Sequence, residues 1–241
     1  NDAIIYFDDV KVPWERVLVN QDADMCRAQF HDTPGHMYQN YQAQIRYAVK
    51  LKFLVGVAHQ LAEEIGTIKI PQVKTTLGKL ASEASTIQGM VYAMEAAGEQ
   101  RGDYYLPNRQ MLYAAQVYAQ EIYPGFVSAI RELAGGSLIM TPSNAIDYGN
   151  PEMFDVINKV QSSPRGDRLE RVKFLKLAWD AIGSEFASRH TQYEMFYCGA
   201  QFVTRGHSYR TFDWDGAQSL VSSIMDGYDL TSSTNQQIAA E

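Results

Sequence analysis

The chain has 241 residues, 46% of them hydrophobic, which is enough for one sizeable core or two small ones. Its formal net charge is -7 and no basic block stands out, which argues against nucleic acid or an anionic membrane surface as a partner. The longest apolar stretches fall far short of the ~20 residues of a membrane-spanning helix, and only two cysteines occur, Cys26 and Cys198, without a CxxC spacing. That count argues against a zinc motif or a disulfide scaffold, and the plain expectation is a cytoplasmic protein.

The opening Ala3-Ile4-Ile5-Tyr6-Phe7-Asp8-Asp9-Val10 predicts a β-strand, ended by Val12-Pro13-Trp14 because proline cannot continue a ladder. Almost no other strand is legible. A lone strand leaves its backbone groups unpaired, so the expectation is that residues 1–20 close a β-domain supplied by upstream sequence. Residues 20–40 are polar, with a turn at Asp32-Thr33-Pro34-Gly35.

A long helix is then predicted from Tyr41, Ile45, Ala48, Val49, Phe53, Val57, Leu61 and Ile65, which recur at steps of three and four. Gly66 and Pro71 mark its end. A second helix carries Val73, Leu77, Leu80, Ala84, Ile87, Val91 and Met94, and Gly98 and Gly102 close it. Pro107 suits the first turn of a third, with Leu112, Ala115, Tyr118 and Ile122 on one face. Pro124 is expected to kink or break it, leaving a short fourth helix at 126–133 before Gly135-Gly136. An irregular stretch reaches Pro164. A fifth helix starts near Asp167 as N-cap and carries Leu169, Val172, Leu175, Trp179, Ile182 and Phe186. Residues 211–241, with the run Thr231-Ser232-Ser233-Thr234, read as a tail or partner-embracing arm. The expected fold class is therefore all-α: an antiparallel four-helix bundle over residues 21–210, preceded by one strand.

Several residues have chemistry to offer. His31 and His36 flank the turn before the long helix, and histidine holds or passes a proton near neutrality; two surface-loop histidines are the plainer alternative. Gly135-Gly136-Ser137 either lets a ligand approach the backbone or caps a helix. Arg165-Gly166-Asp167-Arg168 with Arg171 could meet a phosphate or simply begin a helix. Arg46 and Lys50, one turn apart, form a cationic pair or face solvent. Trp14, Trp179 and the 15 tyrosines could line a pocket or pack a core. No Walker loop, GxGxxG, HExxH or GxSxG is present.

A resemblance carries the reading further. Phe7-Asp8-Asp9-Val10-Lys11-Val12-Pro13 is similar to the strand leading into the helical domain of acyl-CoA dehydrogenase-like flavoproteins. Within that superfamily, Gln39-Asn40-Tyr41-Gln42-Ala43-Gln44-Ile45-Arg46, Val49-Lys50-Leu51-Lys52-Phe53-Leu54-Val55-Gly56, Tyr123-Pro124, Ala134-Gly135-Gly136-Ser137 and the late run Glu170-Arg171-Val172-Lys173, Trp179-Asp180, Gly183-Ser184-Glu185-Phe186, Arg189, Tyr193-Glu194 and Phe196-Tyr197 resemble the 4-hydroxyphenylacetate 3-hydroxylase family. The likeness extends over roughly residues 1–210 and is specific only in combination.

This resemblance implies the C-terminal bundle of an FADH2-dependent phenol monooxygenase that hydroxylates or dehalogenates at the ortho position. FAD, as FADH2, would come from a separate flavin reductase, with O2 as co-substrate, and the flavin would perform the oxygen chemistry. It implies an acid–base role for His31, or His36 second, in deprotonating the phenol or stabilising the oxygen-bearing flavin. It implies FAD contacts at Arg46 and at Gly135, Gly136 and Ser137, with the site built across a homotetramer and no metal. A 4-hydroxybutyryl-CoA dehydratase-like protein is the nearest alternative, but it needs a cysteine ligand two helical turns after the histidine, where this chain has Tyr38 or Ala43. An acyl-CoA dehydrogenase-like protein would need a bundle carboxylate, for which only Glu132 or Asp180 offer themselves. A non-enzymatic helical scaffold is the remaining alternative.

Overall fold

The computed structural model describes residues 3–166 and 168–229. Residues 3–13 form no strand, and Ile4, Tyr6 and Phe7 are largely exposed. Among the described residues no strand pairs with this segment, and its apolar side chains stay exposed. A short 3-10 turn follows at Trp14–Arg16.

The polar stretch holds a helix the pattern did not predict, α1 (Ala23–His31), whose first turn is capped by the Asp22 carboxylate accepting from the Met25 N–H at 2.8 Å. The long helix α2 (Gly35–Ile65) starts two turns earlier than expected, directly after Pro34, and ends at Gly66 with φ 82°. Its core face is Tyr47, Leu51, Leu54, Ala58 and Leu61, whereas the predicted Ile45, Val49 and Phe53 are exposed. The helix is apolar on two stripes, and periodicity alone cannot say which one the neighbours cover.

The helix α3 (Pro71–Ala96) buries Leu80, Ile87, Val91 and Met94 of its predicted stripe. Where Gly98 and Gly102 were expected only to end a helix, they frame a hairpin, β1 (Glu99–Arg101) and β2 (Tyr104–Leu106), antiparallel with Gln100 opposite Tyr105. The next helix, α4 (Arg109–Ala134), is capped by Asn108, whose side chain accepts from the Met111 N–H at 3.0 Å. Pro124 lies inside it without ending it. Tyr123, Phe126 and Val127 are buried on both sides of the proline, and their packing outweighs the ~3 kcal/mol an interior proline costs. The separate fourth helix at 126–133 is thus the second half of α4.

Gly135–Leu138 is a 3-10 turn, and the stretch read as irregular contains α5 (Pro151–Val160), started by Asn150 and Pro151. The predicted fifth helix is two. The first, α6 (Arg168–Ile182), stops where Gly183 and Ser184 both donate to the Trp179 carbonyl, at 2.7 and 2.9 Å. The second, α7 (Glu185–Phe196), restarts on a Ser184 cap. The expected tail is also partly helical: α8 (Gln201–Thr211) and α9 (Trp214–Met225). The expected cap Asp167 and the run Thr231–Thr234 lie outside the described residues.

The chain is thus mostly helical, and α2, α3 and α4 run up, down and up around one core in which Tyr47, Leu51, Ile87, Leu112 and Phe126 meet. Tyr47 donates its hydroxyl to the Ala119 carbonyl at 2.9 Å, tying α2 to α4. Buried Gln120 holds the later helices to α4. Its amide donates to the carbonyls of Met195 and Gly199 at 2.8 and 2.7 Å, and its oxygen accepts from the Thr204 hydroxyl at 2.7 Å. Among the described residues no helix is long and apolar enough to cross a membrane.

Candidate functional site

Three of the five histidines gather at one end of the bundle. His31 ends α1, His36 opens α2 and His207 comes from α8; the His36 ring centroid lies 5.1 Å from that of His31 and 5.2 Å from that of His207. Tyr113, one turn into α4, stacks on His207 at 4.9 Å, and Phe30 packs edge-on against His31 and His36.

One tautomer of His36 satisfies its surroundings. The Asn40 amide, which donates to the His36 carbonyl at 2.8 Å, lies 3.2 Å from Nε2, so Nε2 accepts; Nδ1 then donates to the Tyr113 hydroxyl at 3.1 Å. That hydroxyl is left to donate to Met37 Sδ at 3.7 Å. Burial, helped by the neighbouring His207, His31 and Arg109, lowers the His36 pKa to about 4. Its place in the first turn of α2 acts in the same direction. His207 is lowered too, by burial first and then by Arg210, whose guanidinium donates to its Nδ1 at 2.8 Å. Both nitrogens of His36 and one of His207 are therefore engaged, while the exposed His31 makes its contacts through its ring faces and edges. Arg109 and Arg210 are the guanidiniums near enough to act on these imidazoles.

Arg46 and Lys50 lie further along α2 and meet Glu194 of α7. Arg46 grips the carboxylate with both terminal nitrogens, at 2.5 and 2.8 Å, and Lys50 donates to the same carboxylate at 2.8 Å. The guanidinium also lies over the rings of Tyr193 and Tyr197, 5.1 and 5.4 Å from their centroids. Burial alone would raise the Glu194 pKa, but the hydrogen bonds and charges of Arg46 and Lys50 outweigh it and hold the carboxyl below its ordinary value. Burial keeps Lys50 below the usual lysine value in spite of Glu194. Arg46 Nε is buried without a hydrogen-bond partner.

The glycine turn fits a ligand approaching its backbone. Gly135 has φ 52°, both glycines are exposed, a Cβ on Gly135 would meet nothing within 4 Å, and one on Gly136 only Met140 Cε at 3.7 Å. It lies at the far end of α4: 22 residues separate Tyr113 from Gly135, about 33 Å at 1.5 Å per residue. The predicted residues thus occupy three places in the chain. His31 and His36 are brought together, Arg46 is bound to Glu194, and Gly135, Gly136 and Ser137 stand at the opposite end.

Other nominations found structural employment. Arg165 pairs with Glu63 and Glu64, and Arg171 donates to the Glu64 carbonyl, so these cations secure the last turn of α2. Trp14 is exposed, and Glu132 and Asp180 are exposed carboxylates. Sequence reasoning gave no site role to Asn40, Tyr113, Glu194 or His207, although Asn40 and Glu194 lie in stretches that carry the family resemblance. Glu194 carries a usable signal: it stands four residues after His190 on α7, as Lys50 stands four after Arg46 on α2, and the two pairs face each other.

Residues 26–226 match the 4-hydroxyphenylacetate 3-hydroxylase C-terminal family. The chain is 33% identical over 236 residues to the 4-hydroxyphenylacetate 3-monooxygenase oxygenase component of Pseudomonas aeruginosa, covering 95% of this chain and 45% of that protein. It is 34% identical to the same-named component of Escherichia coli (94% and 44%) and 32% identical to the 4-nitrophenol 2-monooxygenase oxygenase component of a Rhodococcus species (85% and 40%). It therefore spans less than half the length of these relatives. Its fold superposes with a TM-score of 0.85, at 22% identity, on the oxygenase component HpaB crystallised with FAD and 4-hydroxyphenylacetate, covering 92% of this chain and 46% of that one. The 4-hydroxybutyryl-CoA dehydratase of N. maritimus shares the fold at a TM-score of 0.72 and 17% identity, covering 81% and 39%. With its residues 26–226 matched and this fold, the chain belongs to the 4-hydroxyphenylacetate 3-hydroxylase C-terminal family.

Proposed function

We propose that this chain is the C-terminal helical part of an FADH2-dependent phenol monooxygenase, a cytoplasmic homotetramer served by a separate flavin reductase. In this reading residues 1–20 belong with a β-domain, 21–210 form the four-helix bundle domain and 211–241 reach a neighbouring subunit. The supporting observation in this chain is the cluster of His31, His36 and His207 with Tyr113; the names of the relatives supply the reaction class. Bound flavin would supply the oxygen chemistry.

His31 is the acid–base residue in this proposal. It is the exposed imidazole of the cluster, whereas His36 spends Nε2 on Asn40 and Nδ1 on Tyr113. A phenol hydroxyl within hydrogen-bond reach of His31 would give up its proton there, and Arg109 and Arg210 favour the phenolate that results. His36, Asn40 and Tyr113 hold the ring wall against which His31 rests. Gly135, Gly136 and Ser137 would receive the flavin nucleotide of a neighbouring subunit through their open backbone. Arg46 would reach its pyrophosphate by exchanging Glu194 for phosphate.

The test supplies the natural protein carrying this chain with FADH2 and either 4-hydroxyphenylacetate or a chlorophenol under air. Ortho-hydroxylated or dehalogenated product is expected, and peroxide formation with no hydroxylated product refutes the reading. Replacing His31 with Ala should lower hydroxylation about 10²-fold or more while FAD affinity stays within twofold; unchanged turnover would transfer the role to another residue.

A further inference from the structure

Two apolar surfaces of the chain are left uncovered, and they match. The first is α9. Trp214, Ala217, Val221 and Ile224 recur at steps of three and four, with Leu220 and Met225 beside them, while Asp215, Gln218, Ser219 and Ser222 fall on the other side. Such a stripe ordinarily faces a core. Yet α9 buries no residue, and Leu220, Val221, Ile224 and Met225 are 60–70% exposed. Its first turn is tied to α8: the Trp214 indole donates to the Tyr209 carbonyl at 2.8 Å and packs on Phe212 with centroids 4.7 Å apart. The rest of the apolar stripe stands open. A helix of 12 residues is marginal in water unless one face is covered, so this one calls for a partner.

The second surface is a groove of about 480 Å³ between α2 and α3. Ala48 of α2 and Ala81, Ala84 and Gly89 of α3 give it small side chains, and Val55 and Tyr92 stand higher around them. Tyr92 is exposed, as is Val49 beside Ala48, and a Cβ on Gly89 would meet nothing within 4 Å. Small residues between larger ones at helical spacing leave the kind of groove that takes the side-chain ridge of another helix. The lengths agree: Ala81 to Tyr92 spans about 17 Å of α3, and α9 is about 18 Å long. The charges are opposite. Lys52 is the charged residue of the groove lining, which contains no acid. Residues 211–241 contain no lysine or arginine, and α9 and its two caps carry Asp213, Asp215 and Asp226. The same acidity argues against an anionic membrane surface as the cover, since helices that lie on one present lysine and arginine.

We propose that α9 of one copy of this chain docks in the α2–α3 groove of a second copy. Leu220, Val221 and Ile224 lie over Ala84 and Gly89, and the acidic helix meets Lys52. Each copy offers both a helix and a groove, so two such dockings close a two-fold pair and bury both uncovered surfaces. The inference rests on the homotetramer of the proposed function and names the contact by which residues 211–241 reach a neighbouring subunit.

Sedimentation equilibrium of the natural protein carrying this chain tests it, with Leu220→Asp/Ile224→Asp on the helix and Gly89→Leu in the groove. All three positions are exposed, so urea unfolding of each variant should match the parent. The double variant should weaken association about a hundredfold or more, since each buried aliphatic side chain is worth at least tenfold, and Gly89→Leu should weaken it at least tenfold by filling the groove. Benzoylphenylalanine in place of Val221 supplies a second measurement. After subunit exchange with 15N-labelled copies, light should cross-link the probe to the labelled copy at Gln88 or Tyr92. The proposal is overturned by a parent that does not self-associate, by variants that associate as the parent does, or by cross-links that stay within one copy or fall outside the groove. Hydroxylation is a separate readout: variants that stay assembled while the parent hydroxylates overturn the docking alone, and a protein that assembles through α9 but does not hydroxylate overturns the monooxygenase reading alone.

Discussion

Replacing Glu194 with Gln isolates what one buried carboxylate contributes. The side chain is 3% exposed and accepts three hydrogen bonds from two cations. Removing one partner of a buried ion pair costs about 3–5 kcal/mol. Arg46 is one-third exposed, so water recovers part of that loss, and glutamine keeps one acceptor oxygen; about 2–3 kcal/mol remains. For a domain of this size that lowers Tm by roughly 4–12 °C. Urea unfolding at pH 7 measures the first figure and calorimetry the second. A pH series adds an independent check. The folded carboxyl pKa is held below its ordinary 4.5, so its stabilisation is complete above that value and is lost as pH falls through the lower folded value. The parent should therefore lose stability on acidification by an amount that Glu194→Gln does not. A cost under ~0.5 kcal/mol at pH 7, the range of ordinary surface substitutions, or identical acid profiles for the two proteins, would refute the view that Arg46, Lys50 and Glu194 form one buried unit.

Two further outcomes follow from local geometry. The His36 imidazole, lowered to about 4 from 6.5, should stay neutral in an NMR titration from pH 8 to pH 5. Because the unfolded chain protonates first, this residue makes the fold lose stability as pH falls from 6.5 toward 4, and a midpoint near 6.5 would refute the burial argument. Gly98→Ala places a Cβ 2.6 Å from the Leu106 carbonyl oxygen, a backbone atom that cannot swing aside, so a loss of about 1–3 kcal/mol is expected in denaturant unfolding.

The helices were legible wherever one apolar stripe was unambiguous. Leu80, Ile87, Val91 and Met94 on α3 went to the core as their spacing required. The pattern misled at α2, where two apolar stripes compete, and at Pro124, where a local rule was overridden by buried Tyr123 and Phe126. The hairpin at 99–106 was invisible because its strands are three residues long and mostly exposed, too short for alternation to register. His31 and His36 stood out through their neighbourhood in the chain. His207 and Tyr113 complete the same cluster from α8 and α4, and no pattern within one segment predicts a meeting of three. Glu194 is the instructive case: it lies in a stretch that carries the family resemblance, yet its role stayed hidden because its two partners, Arg46 and Lys50, read as a possible surface pair.

The distance between the histidines and the glycine turn has a consequence for assembly. The histidines and the glycine turn, both assigned to the flavin site in the proposed function, lie about 33 Å apart along one helix, so one chain alone would not bring them to the same ligand atoms. In the proposed homotetramer a flavin held between subunits would reconcile them, with the histidine end of one chain meeting the glycine end of another. Gly136→Val tests this cleanly. A Cβ there meets only Met140 Cε at 3.7 Å, and Gly136, unlike Gly135, does not need a positive φ. The substitution should leave urea unfolding of the chain within about 0.5 kcal/mol of the parent, as for an exposed site. Its bulk would be felt only by something laid against the turn. FAD affinity of the natural assembly should fall at least about tenfold, equivalent to 1.4 kcal/mol. Unchanged FAD affinity would remove the glycine turn from the flavin site, whatever the histidines do.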